Sequence, residues 1–387
     1  MAAIIRTFVG GGTVGRIDAP VPAHDVMLKH PSGVSLAAHG AILIADSNAH
    51  AIRLHRRDGT VVTIAGGNGR GYSGDGGPAV DCQLFEPTMA VTAPDGSILV
   101  ADRDNDAIRI IRTDGTIDAY AGGHGLGYDG DEGRAAAALI AKPRALALDA
   151  SGGLWFTDRD NHAVRLVTPD GRVVTVAGGR RGYGGDGGDA RRAAMWRPRG
   201  LEFDARGHLF IADRNNHAVR EVDLDGRIST FAGGNGQGSG GDGGDARAAQ
   251  FDHVSGIVFD ADGVAYISDH FNHSIRRVTP DGRIDTVVGG HGPGHSGDDG
   301  DALDCQLSYP SGLVIDGDGT LYIADRNNDL TRVVTGLCAP GIPLPTTTPA
   351  TVLADPSTLP STPTRPSGGA SSGVAKLKRR IGHLLGR

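Results

Sequence analysis

Six aspartates and six arginines recur along this 387-residue chain at one offset. Asp46, Asp102, Asp158, Asp213, Asp269 and Asp325 each stand seven residues before Arg53, Arg109, Arg165, Arg220, Arg276 and Arg332. A carboxylate and a guanidinium at such a spacing form charge-assisted hydrogen bonds. A residue present in every copy of a repeat serves the copy, so this pair is assigned to structure: the carboxylate caps turn amides and the arginine ties down a neighbouring strand. His50, His162, His217 and His273 share one slot with Asp106 and Asp329. Metal binding would need three of them to converge, which a repeating ring prevents, and structural hydrogen bonding is expected. The loop aspartates 75, 131, 186, 242 and 298 are read as turn residues rather than calcium ligands, because hard cations want several oxygens in a compact run.

Chemistry is sought at positions that differ between copies. Lys142, Arg144, Arg159, Arg197, Arg199 and Arg214 fall in the third and fourth copies, and the segment between them adds Arg180, Arg181, Arg191 and Arg192. Clustered guanidinium groups recognise carboxylate or phosphate through paired hydrogen bonds. The first six are the candidate ligand-binding residues, with a protein or a small anionic molecule as partner. The competing reading pairs them with the aspartates of nearby loops. His30, Glu86 and His253 form a second candidate set, since two histidines and a carboxylate suit a metal ion. With them goes the alternative function, a metal-dependent lyase or lactonase-type enzyme holding zinc or calcium at a central channel. No HExxH or phosphate-binding glycine loop occurs. No catalytic residue is assigned, and a non-catalytic scaffold without a cofactor is the leading expectation.

The elements that position these residues follow from the repeat. The motif aspartates are separated by 56, 56, 55, 56 and 56 residues. Within one period, GLEFDA, HLFIAD, AVREVD and RISTFAGG (200–234) are short alternating runs separated by turn residues. Four antiparallel strands per period make one propeller blade. The sixth copy stops after its third strand at Val334, while the chain opens on IIRTFVGG (4–11), which matches the fourth-strand segment RISTFAGG. The spacing therefore predicts an all-β, six-bladed β-propeller over 1–338 whose last blade is closed by the N-terminal strand.

The stretches LFIADRNNHAVREV (209–222) and LYIADRNNDLTRVV (321–334), preceded by a P.G signal and followed by a G.I.T.AG strand, resemble those of the NHL-repeat family. The excess length lies in glycine-aspartate loops such as GYSGDGGPA (71–79) and GYGGDGGDA (182–190), similar to loops of bacterial members and of the NHL portion of teneurins. The resemblance implies the fold; the family includes RNA-binding, protein-binding and lyase members. Its peptide-amidating lyases carry zinc histidines directly after the inner-strand proline. Here that slot holds Ser32, Thr88, Arg144, Arg199 and Ser311, with Ser255 after a valine, so the zinc triad is missing from the place the resemblance implies.

The formal charge of −7 combines −12 over residues 1–338 with +5 over the last fourteen. An RNA-binding face is a second alternative, against which stand this acidity and the lack of interleaved aromatics; nucleic acid is not an expected partner. Cys82 and Cys305 share a slot that holds alanine in other copies and read as small packing residues, not a disulfide. Without a signal-peptide pattern the expected compartment is the cytoplasm. Residues 339–373 read as a Pro/Thr/Ser-rich flexible linker. Residues 374–387 read as a basic amphipathic tail that docks on a membrane surface, a partner protein or a protein shell, which would hold the protein peripherally on a membrane or assembly.

Overall fold

The computed structural model describes residues 2–337, and the linker and tail expected beyond them lie outside the described residues. Blade 1 comprises Pro31–Leu36, Ile42–Asp46, Ala51–His55 and Thr60–Gly66. Blades 2 to 5 repeat this order over 87–122, 143–178, 201–233 and 254–289. Blade 6 joins Pro310–Ile315, Leu321–Asp325 and Leu330–Thr335 to the N-terminal strand Ile4–Gly10. That last pairing is antiparallel, with Ile5 opposite Val334 and Thr7 opposite Arg332. Blade 1 carries an additional short strand, Val21–Pro22, on its outer edge.

Local chemistry explains the hairpins. Asp204 accepts the amides of Arg206 and His208 to close the turn between the first and second strands of blade 4, and Asp223 accepts those of Asp225 and Arg227 in the next exposed turn. Gly226 takes φ +75° there, a conformation that a side chain disfavours. Second strands such as Leu209–Asp213 are buried along their whole length because neighbouring blades cover both faces. The apolar clusters accordingly bridge blades: Trp155, Val164 and Leu166 of blade 3 pack against Leu201, Leu209 and Ile211 of blade 4.

The repeated Asp–Arg pair sits at the centre of this packing. Asp213 Oδ1 accepts the Trp196 amide at 2.7 Å, and Oδ2 accepts from Asn216 at 2.8 Å and from Arg220 at 3.5 Å. Arg220 continues outward to the Gly184 carbonyl and to Asp186 in the preceding long loop. The loop aspartates 75, 131, 242 and 298 receive Arg109, Arg165, Arg276 and Arg332 in the same way, whereas Arg53 reaches the Gly15 carbonyl. Each of these arginines lies where the third and fourth strands shift register by one residue, a bulge that makes room for it.

The shared histidine/aspartate slot has an equally plain role. His50, His162, His217 and His273 accept through Nδ1, and Asp106 and Asp329 through Oδ1, the amide of the residue before the inner strand of the next blade. Those donor residues have φ between 49° and 60°, so each bond holds a left-handed residue and couples two blades. Six such bonds run around the ring. Cys82 and Cys305 are free and buried, and burial pushes both thiols up to about 11.

Candidate anion-binding site

The inner strands meet around the axis at very short range. A Cβ added to Gly312 would stand 2.8 Å from both the Ser32 carbonyl oxygen and Gly33 Cα, and one on Gly200 would stand 2.4 Å from the Ser255 carbonyl oxygen. Glycine at these positions lets neighbouring backbones approach. Residues at the start of the six inner strands, Ser32, Thr88, Arg144, Ser255 and Ser311, with Arg199 just ahead of Leu201–Phe203, line one narrow channel cavity of about 60 Å³. Three of their hydroxyls are traceable. Ser311 Oγ donates to the Ser32 carbonyl and Thr88 Oγ1 to the Arg144 carbonyl, tying blade to blade. Ser32 Oγ is buried without a partner.

Arg199 is 6% exposed. Its Nη2 donates to Ser311 Oγ at 2.8 Å, and its Nη1 stands 3.3 Å from His270 Nε2. His270 Nδ1 lies 2.8 Å from the Pro310 carbonyl oxygen. A carbonyl only accepts, so Nδ1 carries the proton and Nε2 offers its lone pair to Arg199. Arg144 Nε is buried without a hydrogen-bond partner. Burial, followed by repulsion from Arg103, Arg159, Arg214 and Arg326, pushes the Arg144 guanidinium well below its ordinary pKa; burial, then Arg144 and the same neighbours apart from Arg103, do so for Arg199.

The surrounding ring is only partly neutralised. Arg103 pairs with Glu86 and Asp104, Lys142 with Asp104 at 2.9 Å, Arg159 with Asp160 at 2.7 Å and Arg197 with Asp160 at 3.4 Å. Although burial opposes it, hydrogen bonds from Arg103 and Lys142 hold Asp104 down at about 2. Arg214 and Arg326 meet asparagine oxygens, Asn215 and Asn327, each at 3.3 Å. Burial and then Arg159 bring Arg214 down to about 10. Among the described residues, Arg144, Arg199, Arg214 and Arg326 have no carboxylate within ion-pair distance. Glu202 lines the same cavity, but burial raises it to about 7, so below that pH it is no counter-ion. Arg144 and Arg199 line the confined channel cavity, with Arg214 and Arg326 close enough to repel both, and together they focus a positive potential that favours an anion there.

Of the residues singled out in the sequence, Arg144, Arg159, Arg199 and Arg214 converge on the axis, while Lys142 and Arg197 are held by Asp104 and Asp160. Arg103 of blade 2, Arg326 of blade 6 and His270 of blade 5 belong to the same cluster. The cluster is therefore central rather than a sector of blades 3 and 4. The slot after each motif aspartate carried that signal. The competing expectation, pairing with aspartates of nearby loops, is met in part: Lys142 pairs with Asp104, Arg159 and Arg197 with Asp160 and Arg191 with Asp189, while Asp131 and Asp186 are taken by the motif arginines. Arg180, Arg191 and Arg192 line a separate cleft of about 860 Å³ with Tyr128, Trp155 and Arg227, and Arg181 stacks on Trp196 at 4.3 Å.

The alternative metal set, His30, Glu86 and His253, is not brought together among the described residues. His30 Nδ1 meets Asn48 at 2.9 Å, Glu86 is held by Arg103, and His253 Nδ1 meets Asp252 at 2.6 Å. Among the described residues, the group of three potential ligands whose atoms lie within 4.8 Å of one another is His217, Asp252 and His253, and His217 Nδ1 already accepts the His253 amide.

No family model matches the chain. It is 27% identical over 325 residues to NHL repeat-containing protein 2 of Bos taurus, covering 76% of this chain and 44% of that protein. The chain thus spans less than half the length of that curated relative. Among solved structures it resembles an auxiliary nutrient binding protein from Bacteroides thetaiotaomicron, with TM-score 0.63, 18% identity and coverage of 86% and 76% of the two chains. It also resembles a gluconolactonase from Xanthomonas campestris, with TM-score 0.53, 16% identity and coverage of 80% and 86%. At these identities the solved structures speak for the fold alone. The chain is a six-bladed β-propeller whose homologues are NHL repeat-containing proteins.

Proposed function

We propose that this protein is a binding module that captures a small anionic molecule in the arginine-lined mouth of its central channel. The observation that carries this reading is the placement of buried Arg199 and part-buried Arg144 on one channel cavity with no carboxylate within ion-pair distance. A fold gains nothing from such groups, because an uncompensated buried charge costs stability. A carboxylate or phosphate seated between them would relieve that cost and satisfy guanidinium donors in the bidentate manner. The cavity of about 60 Å³ matches the share of liquid volume of roughly two waters at ~30 Å³ each, which suits an anionic head group while the rest of the ligand stays in the mouth. The Ser311 and Thr88 hydroxyls are committed to neighbouring carbonyls, while Ser32 Oγ, buried without a partner in the same cavity, is free to meet the bound anion. A solved propeller of this fold is named as an auxiliary nutrient binding protein, so small-molecule capture agrees with a use suggested for the architecture.

The test is a melting series in inorganic phosphate against chloride at equal ionic strength. Binding to the native state raises Tm with phosphate concentration, and Arg144→Met with Arg199→Met removes the response. Identical phosphate responses in the wild type and the double variant would overturn the reading.

A further inference from the structure

The channel mouth is not uniform. Where blades 5 and 6 form its wall, ring side chains replace polar ones. Phe271 stands where the other copies carry Asn48, Asp104, Asp160, Asn215 and Asn327, and Tyr309 stands where they carry His30, Glu86, Lys142, Arg197 and His253. The rings of Phe271 and Tyr309 meet edge to face at 5.2 Å, and His270 lies 5.2 Å from the first and 5.3 Å from the second. His253 packs on the far side of Phe271 at 4.7 Å. Phe271 nevertheless remains 37% exposed, so its apolar surface is not consumed by the core. The five other copies reach the same turn geometry with Asn or Asp at this position, so the fold does not ask for phenylalanine there.

The aromatic wall adjoins the uncompensated arginines. His270 touches Arg199 through Nε2, and the Arg214 guanidinium carbon stands 5.4 Å from the Phe271 ring centre. Exposed apolar ring surface beside an unpaired guanidinium is complementary to a molecule with both features on one short frame.

We infer that the ligand is an aromatic anion, an aryl carboxylate or aryl phosphate. Its charged group sits on Arg199 and Arg144 and its ring lies against Phe271 and Tyr309. This rests on the anion-binding reading above and adds the chemical class of the ligand. The guanidinium groups fix the charged end and the rings select the body attached to it.

Calorimetric titrations at constant ionic strength with inorganic phosphate and with phenyl phosphate test it. Ring contacts of this kind are worth roughly a two- to tenfold change in affinity, so phenyl phosphate is expected to bind tighter than phosphate by about that ratio. Phe271→Asn, which installs the residue found in blades 1, 4 and 6, is expected to bring the ratio close to one. A ratio near one in the wild type, with both ligands bound, would overturn the aromatic inference and leave the anion site standing. So would a ratio that Phe271→Asn does not change. Absence of binding by either ligand would overturn both.

Discussion

His270 Nε2 accepts from Arg199 Nη1 across 3.3 Å while its Nδ1 donates to the Pro310 carbonyl at 2.8 Å, so this imidazole is held neutral beside a cation. Burial, then Arg199 and Arg214, keep its pKa well below 6.5. Above pH 6.5 it is neutral in the folded and unfolded chains alike. As pH falls through 6.5 the unfolded chain takes up a proton that the folded one refuses, and stability declines by about 1.4 kcal/mol per pH unit from this group. Urea denaturation of His270→Gln between pH 7 and pH 5 is expected to show a slope smaller by about one proton; an unchanged slope would refute the assignment.

Glu202 acts with the opposite sign. Its folded pKa is raised by burial from 4.5 to about 7, so its contribution is fully present below pH 4.5 and is lost as pH rises through 7. Above that pH the burden is about 3 kcal/mol. Glu202→Gln is expected to be more stable than the wild type at pH 8 and close to it at pH 4, measured by the same denaturation series.

Arg199→Met is expected to stabilise the free protein by about 1–3 kcal/mol, because it replaces an unpaired buried charge with a side chain of similar volume. The same variant loses the phosphate response. Residues kept for function at the expense of stability show this pair of effects, and a clear fall in Tm would identify Arg199 as structural.

Arg220→Met should behave in the reverse way although it too is buried. Arg220 bridges Asp213, which is 0% exposed, to Asp186, and its removal strands a buried carboxylate. A loss of about 3–5 kcal/mol is expected, with phosphate affinity of the folded fraction unchanged.

The contrast between Arg220 and Arg199 shows what the sequence could convey. Asp213 and Arg220 recur in every copy, so their offset disclosed the blade, and the match of residues 4–11 to 227–234 disclosed the ring closure. Arg144 and Arg199 were legible as unrepeated cations. Their neighbours were less so, because Arg326 and Arg103 come from blades far apart in sequence that meet only when the ring closes. The aromatic wall was hidden for a related reason: Phe271 and Tyr309 are 38 residues apart and touch only because adjacent blades share the mouth. The fate of the loop aspartates was obscured too, since Asp186 reaches Arg220 across a blade boundary, 34 residues along the chain.

The most direct measurement is anomalous diffraction from crystals soaked in selenate, a tetrahedral oxyanion that reports its own position. The account predicts a selenium peak on the channel axis, with oxygens at about 2.7–3.2 Å from guanidinium nitrogens of Arg144 and Arg199, absent in the Arg144→Met, Arg199→Met protein. Selenate found elsewhere on the molecule, with none in the channel, would contradict it.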